Sequence, residues 1–322
     1  MNSPSVRALP FVLHRLSFIL ALASLCCARL AAAEITAERS SAGVAVKIGD
    51  QPFTNYLIRS GNKPILWPIF GPTGKPMTRA YPMQIEPRET HDHPHQRSCW
   101  FTHGSVNGID FWGESGKNVG TIEHRGFVQV RGGPTATIIA RNDWLGPDRH
   151  KVCEDQRAVS FGAEGQSRWI DFVIALTATD GPVTFGDTKE GTFGVRVAES
   201  MRVEAKPPGH IVNSRGQSGE AAWGRPAEWV DYHGPIDGKL LGIAIMNHPA
   251  SFRFPTGWHV RPYGLFAANP FAQRSFHGKG ESAEGYTLAA GQTLSLRYRV
   301  LLHRGDEKEG QVAAAFAAYA KQ

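Results

Sequence analysis

Glycine and proline punctuate this chain from end to end, 35 and 21 of its 322 residues, and the segments between them are short and β-prone. Val44–Ile48, Phe53–Arg59, Ile122–Val130, Thr135–Ala140, Trp169–Thr177 and Thr192–Val197 are such runs. Trp229–Tyr232, Leu240–Met246, Phe252–Phe254 and Leu294–Leu302 follow. Many brief runs of Val, Ile, Phe, Trp and Thr between turn residues predict an all-β fold, a large antiparallel β-sandwich. The exception is Glu307–Tyr319, where Val312, Phe316 and Tyr319 recur at spacings of four and three. That spacing predicts a short C-terminal helix packed against the sandwich edge. No repeat of fixed period and no linker divides the chain, so a single domain is expected over 34–322. Long loops are expected at 71–79, 103–120, 205–226 and 269–285, and loops carried on a rigid sandwich are where binding groups gather.

The first residues follow another logic. Arg7, His14 and Arg15 precede an apolar run of ten, Leu16–Leu25, and Ala31–Ala33 form a small-residue cleavage pattern before Glu34. The run is too short to span a bilayer, so residues 1–33 read as a signal peptide and the mature chain as periplasmic or secreted. Leu25 before Cys26, and Cys26 before Cys27, are poor substitutes for the small residue that a lipid-attachment site requires. Removing the leader takes away Arg7, Arg15 and Arg29 and lowers the formal charge from +6 to +3. With no Lys/Arg cluster left, no nucleic-acid partner is expected, and no later segment has the length of a membrane span. Export would permit a disulfide between Cys99 and Cys153, while each thiol serves equally well as a small buried hydrophobe.

The densest chemistry lies in HDHPHQRSCWFTHGSVNGIDFWGE, from His91 to Glu114. Four of the thirteen histidines fall here, beside carboxylates and aromatic rings. Imidazole titrates near neutrality and also ligates transition metals. His91, His93 and His95 are spaced by two and would share one face of an extended strand, where they could hold a divalent metal such as Zn or Cu. Pro94 interrupts any such strand. Without a metal, His93, His95 and His103 are candidates for proton transfer, with Arg97, Asn107 and Asp110 as polar contacts. Trp100 and Trp112, with Phe101 and Phe111, offer flat apolar faces of the kind that sugars stack on; as large aromatics they suit a core equally well.

Two further segments carry polar clusters. DTKEGTFGVRV places Lys189 and Glu190 just before a β run; they serve as catalytic groups or as a plain ion pair. GWHVRPYG places Trp258, His259, Arg261 and Tyr263 in one extended stretch, where burying so many polar groups demands partners, either a ligand or a hydrogen-bond network. His259 is the candidate acid/base here, and Trp258, Arg261 and Tyr263 the candidate substrate contacts. The histidine stretch and His259 are expected to converge on one concave pocket. GxSxG, HExxH, CxxC, P-loop and GxGxxG motifs are absent, which removes the serine-hydrolase, zincin and nucleotide-binding readings.

Several stretches together carry a family resemblance: DHPHQRSCWFTHGSVNGIDFW (Asp92–Trp112), DTKEGTFGVRVAESM (Asp187–Met201), NSRGQSGEAAWGRPAEWVDYHGP (Asn213–Pro235), NHP (Asn247–Pro249), PTGWHVRPYGLFAANPF (Pro255–Phe271) and RYRVLLHRGD (Arg297–Asp306). The chain resembles a bacterial family of unknown function whose members are often labelled "methane oxygenase PmoA", with Cys99 standing where a larger aliphatic is expected. The label implies a copper oxygenase, but a true particulate methane monooxygenase subunit is an integral membrane protein. The resemblance otherwise implies an exported protein of glycan-degrading bacteria and a fold like the large sandwich of galactose mutarotase-type enzymes. Three functions follow as expectations: a carbohydrate-active enzyme doing elimination, epimerisation or hydrolysis on a sugar or glycoside, a noncatalytic carbohydrate-binding sandwich, or a metal oxygenase.

Overall fold

The computed structural model describes Met1 and residues 34–277 and 285–322; the expected signal peptide, with Cys26 and Cys27, and part of the 269–285 loop lie outside the described residues. Ala33–Gln322 forms one compact unit. Its strands are β1 (Ile35–Ser40), β2 (Gly43–Ile48), β3 (Gln51–Ser60), β4 (Lys63–Ile69), β5 (Cys99–His103) and β6 (Thr121–Arg131). β7 (Ala136–Leu145), β8 (Lys151–Glu164), β9 (Ser167–Thr177), β10 (Val183–Phe185), β11 (Gly191–Arg196) and β12 (His210–Asn213) follow. The last are β13 (Trp229–Ile236), β14 (Lys239–Asn247), β15 (Gly257–Val260), β16 (Leu265–Asn269), β17 (Tyr286–Leu288) and β18 (Thr293–Arg304). Two short α-helices are α1 (Arg274–His277) and α2 (Val312–Tyr319).

Two eight-stranded sheets make the sandwich. The first has the order β1-β2-β3-β4-β5-β11-β16-β15 and the second β12-β13-β14-β18-β9-β8-β7-β6; β10 and β17 form a small ribbon. The strand pairs are antiparallel, as the alternating runs require when one face of each sheet is buried. Aromatic pairs close the space between the sheets: Phe53 meets Phe161 edge-on at 5.9 Å, Phe193 stacks on Tyr298 at 4.8 Å, and Tyr232 meets Phe266 at 5.7 Å. Cys99 and Cys153 are unpaired and buried, and burial pushes both thiols up.

Alternation along three neighbouring strands decides what the first sheet presents on its other face. On β5, Phe101 points into the inter-sheet core and Trp100 points away. On β16, Phe266 and Ala268 point in while Leu265 and Ala267 point away. The outward side chains, with Ile65 and Trp112, build a second apolar cluster against which Trp67, Met83 and Tyr263 pack. This cluster is the floor of the site described below.

Three expectations are corrected. Phe252–Phe254 is a turn, because Ser251 and Phe254 close on the preceding residues through backbone bonds. Helix α2 begins five residues later than expected; Asp306 accepts the Lys308 and Glu309 N–H groups at 3.0 and 2.9 Å and holds the segment before it in turns. The helix covers a sheet face, where Val312 and Tyr319 pack on Trp229, Ala244, Met246 and Leu301, and not an edge. No helix of the described residues is long and apolar enough to cross a membrane.

Candidate functional site

A cavity of about 650 Å³ opens over the apolar floor of the first sheet. Three of the sequence-identified histidines line it: His93 and His95 from the loop before β5, and His259 from β15. Asp110, Trp112 and Glu114 come from the loop after β5, Lys189 and Glu190 from the turn before β11, and Arg261 and Tyr263 from the turn joining β15 to β16.

The register explains His259. Trp258 and Val260 belong to the inter-sheet core, so His259 between them faces the opposite side, paired with Ala267 of β16. Its Nε2 accepts from Arg261 Nε at 3.2 Å. Burial, then the charges of Arg261 and Lys189, hold the imidazole down to about 3, so it is neutral at ordinary pH. Arg261 lies over the Trp223 ring, 5.2 Å from its centroid.

His93 is placed by long-range contacts. Its backbone is in the left-handed region (φ 43°), which a non-glycine residue adopts only when its surroundings fix it. Asp92 is that anchor: it is ion-paired to Arg79, and Arg196 Nη2 donates to it at 2.9 Å; both guanidinium side chains are fully buried. Burial works to raise the Asp92 carboxyl, but Arg196, His93 and Arg79 outweigh it and hold it well below the usual carboxylate range. Asp92 Oδ2 sits 2.9 Å from His93 Nδ1. A proton on Nδ1 satisfies that contact and leaves Nε2 free as an acceptor. The ring stacks on Tyr263 at 4.9 Å and meets His95 edge-on at 5.7 Å. Burial and the nearby Lys63 and His93 hold His95 down to about 4.

Carboxylates differ sharply around the cavity. Glu114 receives Arg97 through two bonds of 2.6 Å and the fully buried Lys63 at 2.7 Å; burial opposes ionisation there, but Arg97 and Lys63 keep the carboxyl low. Asp110 Oδ1 accepts the Trp112 and Gly113 N–H groups at 2.8 and 2.9 Å. Glu190 has no such anchoring: its nearest cation, Lys189 Nζ, is 4.0 Å away, and burial raises its carboxyl. The turn bearing both residues is fixed from behind by Asn269, whose Nδ2 donates to the Thr188 and Lys189 carbonyls at 2.9 and 3.2 Å.

The structure separates other candidates from the cavity. His103 alternates with Phe101 on the core face of β5, fully buried, with Nε2 2.8 Å from the Gly186 carbonyl and its ring between Phe185 and Phe271. Trp258 is a core residue donating Nε1–H to Ala227 O at 3.0 Å. Trp100 lies in the floor beneath Trp112. Asn107 caps β10, its Oδ1 accepting Thr184 N–H at 2.7 Å. Arg97 orients Glu114 and does not line the cavity. His91 stacks on Tyr81 at 4.7 Å. The loop carrying His91, His93 and His95 is not a strand, and the three do not bring one ligand atom each within 4.8 Å of one another. The metal site expected on them is therefore not formed by this geometry.

Gln96, Asp92 and Asn269, which position the lining residues, lie inside the motifs without being singled out by them, and Lys63 lies outside every motif. Gln96 is buried, accepts from Arg196 and donates Nε2–H to Tyr263 Oη at 3.4 Å; its role rests on partners 100 and 167 residues away, which local spacing does not reveal.

Three solved structures are similar to the chain. An α-galactosidase from Lactobacillus brevis matches at 9% identity over 85% of this chain, with a TM-score of 0.43; the chain spans 40% of that protein's length. A protein assigned as an aldose 1-epimerase from Escherichia coli K12 matches at 10% identity over 84% of this chain and 99% of its own, with a TM-score of 0.36. A galactose mutarotase related enzyme from Lactobacillus acidophilus matches at 11% identity over 84% and 95%, with a TM-score of 0.29. No curated protein matches the sequence. A family model matches from residue 43 to residue 317, nearly the whole sandwich with the core of its cavity, and on that match the chain belongs to DUF6807, a family of unknown function.

Proposed function

We propose that this protein is an exported enzyme that binds a sugar or glycoside in the histidine cavity and performs acid/base chemistry on it. The observation that carries this reading is the company Glu190 keeps: a carboxyl raised by burial, in one cavity with an imidazole oriented by a carboxylate, two cations and two aromatic rings. Trp112, which lines the cavity, suits the apolar face of a pyranose, and Tyr263 backs His93 through its stacked ring. Lys189 and Arg261 suit a hydroxyl or carbonyl oxygen whose negative charge grows during reaction. His93 Nε2, free as an acceptor while Asp92 holds Nδ1–H, takes a proton from the substrate, and Glu190, whose carboxyl burial shifts toward its protonated form, returns one. His95 and His259, neutral, accept hydrogen bonds from substrate hydroxyls.

Export rests on the leading sequence, with its basic lead, ten-residue apolar run and alanine site. The oxygenase reading gains nothing from the histidine loop, where His91 is turned onto Tyr81.

The test is a panel of free sugars, glycosides and keto-glycosides incubated with the protein in D₂O and followed by ¹H NMR. One class is expected to change, by product formation or carbon-bound exchange. Glu190→Gln is expected to slow that change by about 100-fold or more, the usual scale for a general acid/base. Saturable binding of a sugar with no change of any member would assign the cavity to a noncatalytic binding module.

A further inference from the structure

A second polar centre lies away from the cavity, on the outer face of the second sheet, where the chain turns from β18 toward α2. Asp231 and His233 come from β13, His303 from β18 and Glu307 from the turn that follows. The proposed function uses none of them, although the VDYHGP and RYRVLLHRGD stretches supply the first three.

Asp231 is fully buried, and both its oxygens are engaged. Oδ1 sits 2.7 Å from His233 Nδ1, and Oδ2 sits 2.7 Å from His303 Nε2. The other His303 nitrogen, Nδ1, faces the Arg304 carbonyl at 3.1 Å. With an acceptor on each nitrogen, both must carry protons, so His303 is an imidazolium that balances Asp231. Its ring fits between Gly242 and Gly310, where any Cβ would collide with it.

Glu307 is left over. Its side chain is 18% exposed, its Oε2 lies 4.0 Å from His233 Nδ1, and it makes no hydrogen bond among the described residues. Two carboxylates thus bracket one imidazole nitrogen, and one ligand atom from each of the three lies within 4.8 Å of the others. Glu307 therefore presents an unpartnered oxygen to an imidazole nitrogen that Asp231 already holds.

We propose that Asp231, His233 and Glu307 bind one divalent transition-metal ion, with His303 orienting the Asp231 carboxylate from behind. A tetrahedral ion with bonds of 2.0–2.2 Å needs donor atoms about 3.4 Å apart. The 2.7 Å contact opens and the 4.0 Å contact closes by comparable small amounts to reach it. Mixed imidazole and carboxylate ligation selects a transition metal over calcium or magnesium. Exposed His210 stands next to this group, its ring 5.5 Å from that of His233. The bound ion ties the turn before α2 to β13.

The experiment takes the whole mature protein, stripped with a chelator, and titrates it with Zn²⁺ alone by calorimetry and thermal melting, with Ca²⁺ as the contrast. One zinc per chain and a raised Tm are expected, with no rise in calcium. Glu307→Gln is expected to lower zinc affinity at least tenfold, and His93→Asn to leave it unchanged. Should Glu307→Gln not fold, imidazole NMR of the wild type decides: zinc must shift the His233 resonances and spare those of His93 and His95. Failure of the folded wild type to bind zinc, undiminished binding by Glu307→Gln, or shifts confined to the cavity histidines would overturn the assignment. None of these outcomes depends on the sugar reading.

Discussion

At the scale of single residues, burial and pairing set the charges. Lys63 is fully buried, and burial holds its ammonium down to about 8 although Glu114 and its hydrogen bond pull the other way. Glu114→Ala strands Lys63 and leaves Arg97 unpaired; removing one partner of a buried pair costs about 3 kcal/mol or more, read as a fall in the urea midpoint. The histidines give a second prediction. Burial holds His95 and His103 down to about 4 and His259 to about 3. Below pH 6.5 the unfolded chain takes up protons on these groups that the folded chain refuses, so their contribution is present above 6.5 and is lost as pH falls toward 4. His303 runs the other way: the Asp231 partner overcomes burial and raises it, so its contribution is full below 6.5 and fades as pH rises through its folded value. In His103→Phe the acid-side slope of stability against pH is expected to shrink by one proton, about 1.4 kcal/mol per pH unit. An unchanged slope would show that His103 titrates normally. The sequence made this residue a candidate because it ends a histidine-rich motif; only the strand register, which pairs His103 with Gly191 and aligns it with Phe101, sends it inward.

At the scale of elements, long alternating strands were legible and short ones were not. β9, β14 and β18 coincide closely with the expected runs, since β9 and the first half of β18 alternate between buried and more exposed positions and β14 is a nearly continuous apolar run, whereas β7 extends five residues past its run. β5 and β15 have five and four residues, too few for a period to emerge. Both of their faces are buried, one in the core and one under the cavity, so polar and apolar positions do not alternate. The loop carrying His93 and His95 has no period at all; its shape comes from Asp92 gripping Arg79 and Arg196. The segments that would form the cavity were therefore identifiable by composition, while which side chains face it was not. The C-terminal helix was legible from its apolar spacing, and its footing on β13, β14 and β18 gives an element-scale prediction. Val312→Ala removes two buried carbons, worth about 1.6 kcal/mol at ~0.8 per methylene. The midpoint of urea unfolding is expected to fall by that free energy divided by the slope, with the slope itself unchanged. A loss near zero would mean that the helix detaches before the sandwich unfolds.

At the scale of the whole molecule, each sheet packs its inner face into the common core and carries a polar cluster on part of its outer face. The first sheet carries the cavity on its outward apolar cluster, and the second carries the Asp231 centre beside the surface covered by α2. All-β architecture with a terminal helix followed from composition and periodicity; the strand that flanks β5 on the side away from β4 did not, since β11 reaches it from more than 80 residues away. His93, His95 and His259 line one cavity with Glu190, and sugar binding there is tested by NMR of imidazole-labelled protein during titration with a sugar panel. A binding sugar is expected to shift the His93, His95 and His259 resonances together, with one common affinity, while those of His103, His233 and His303 stay in place. Sugar binding that leaves the three cavity histidines unmoved, or that moves them with unrelated affinities, would contradict it.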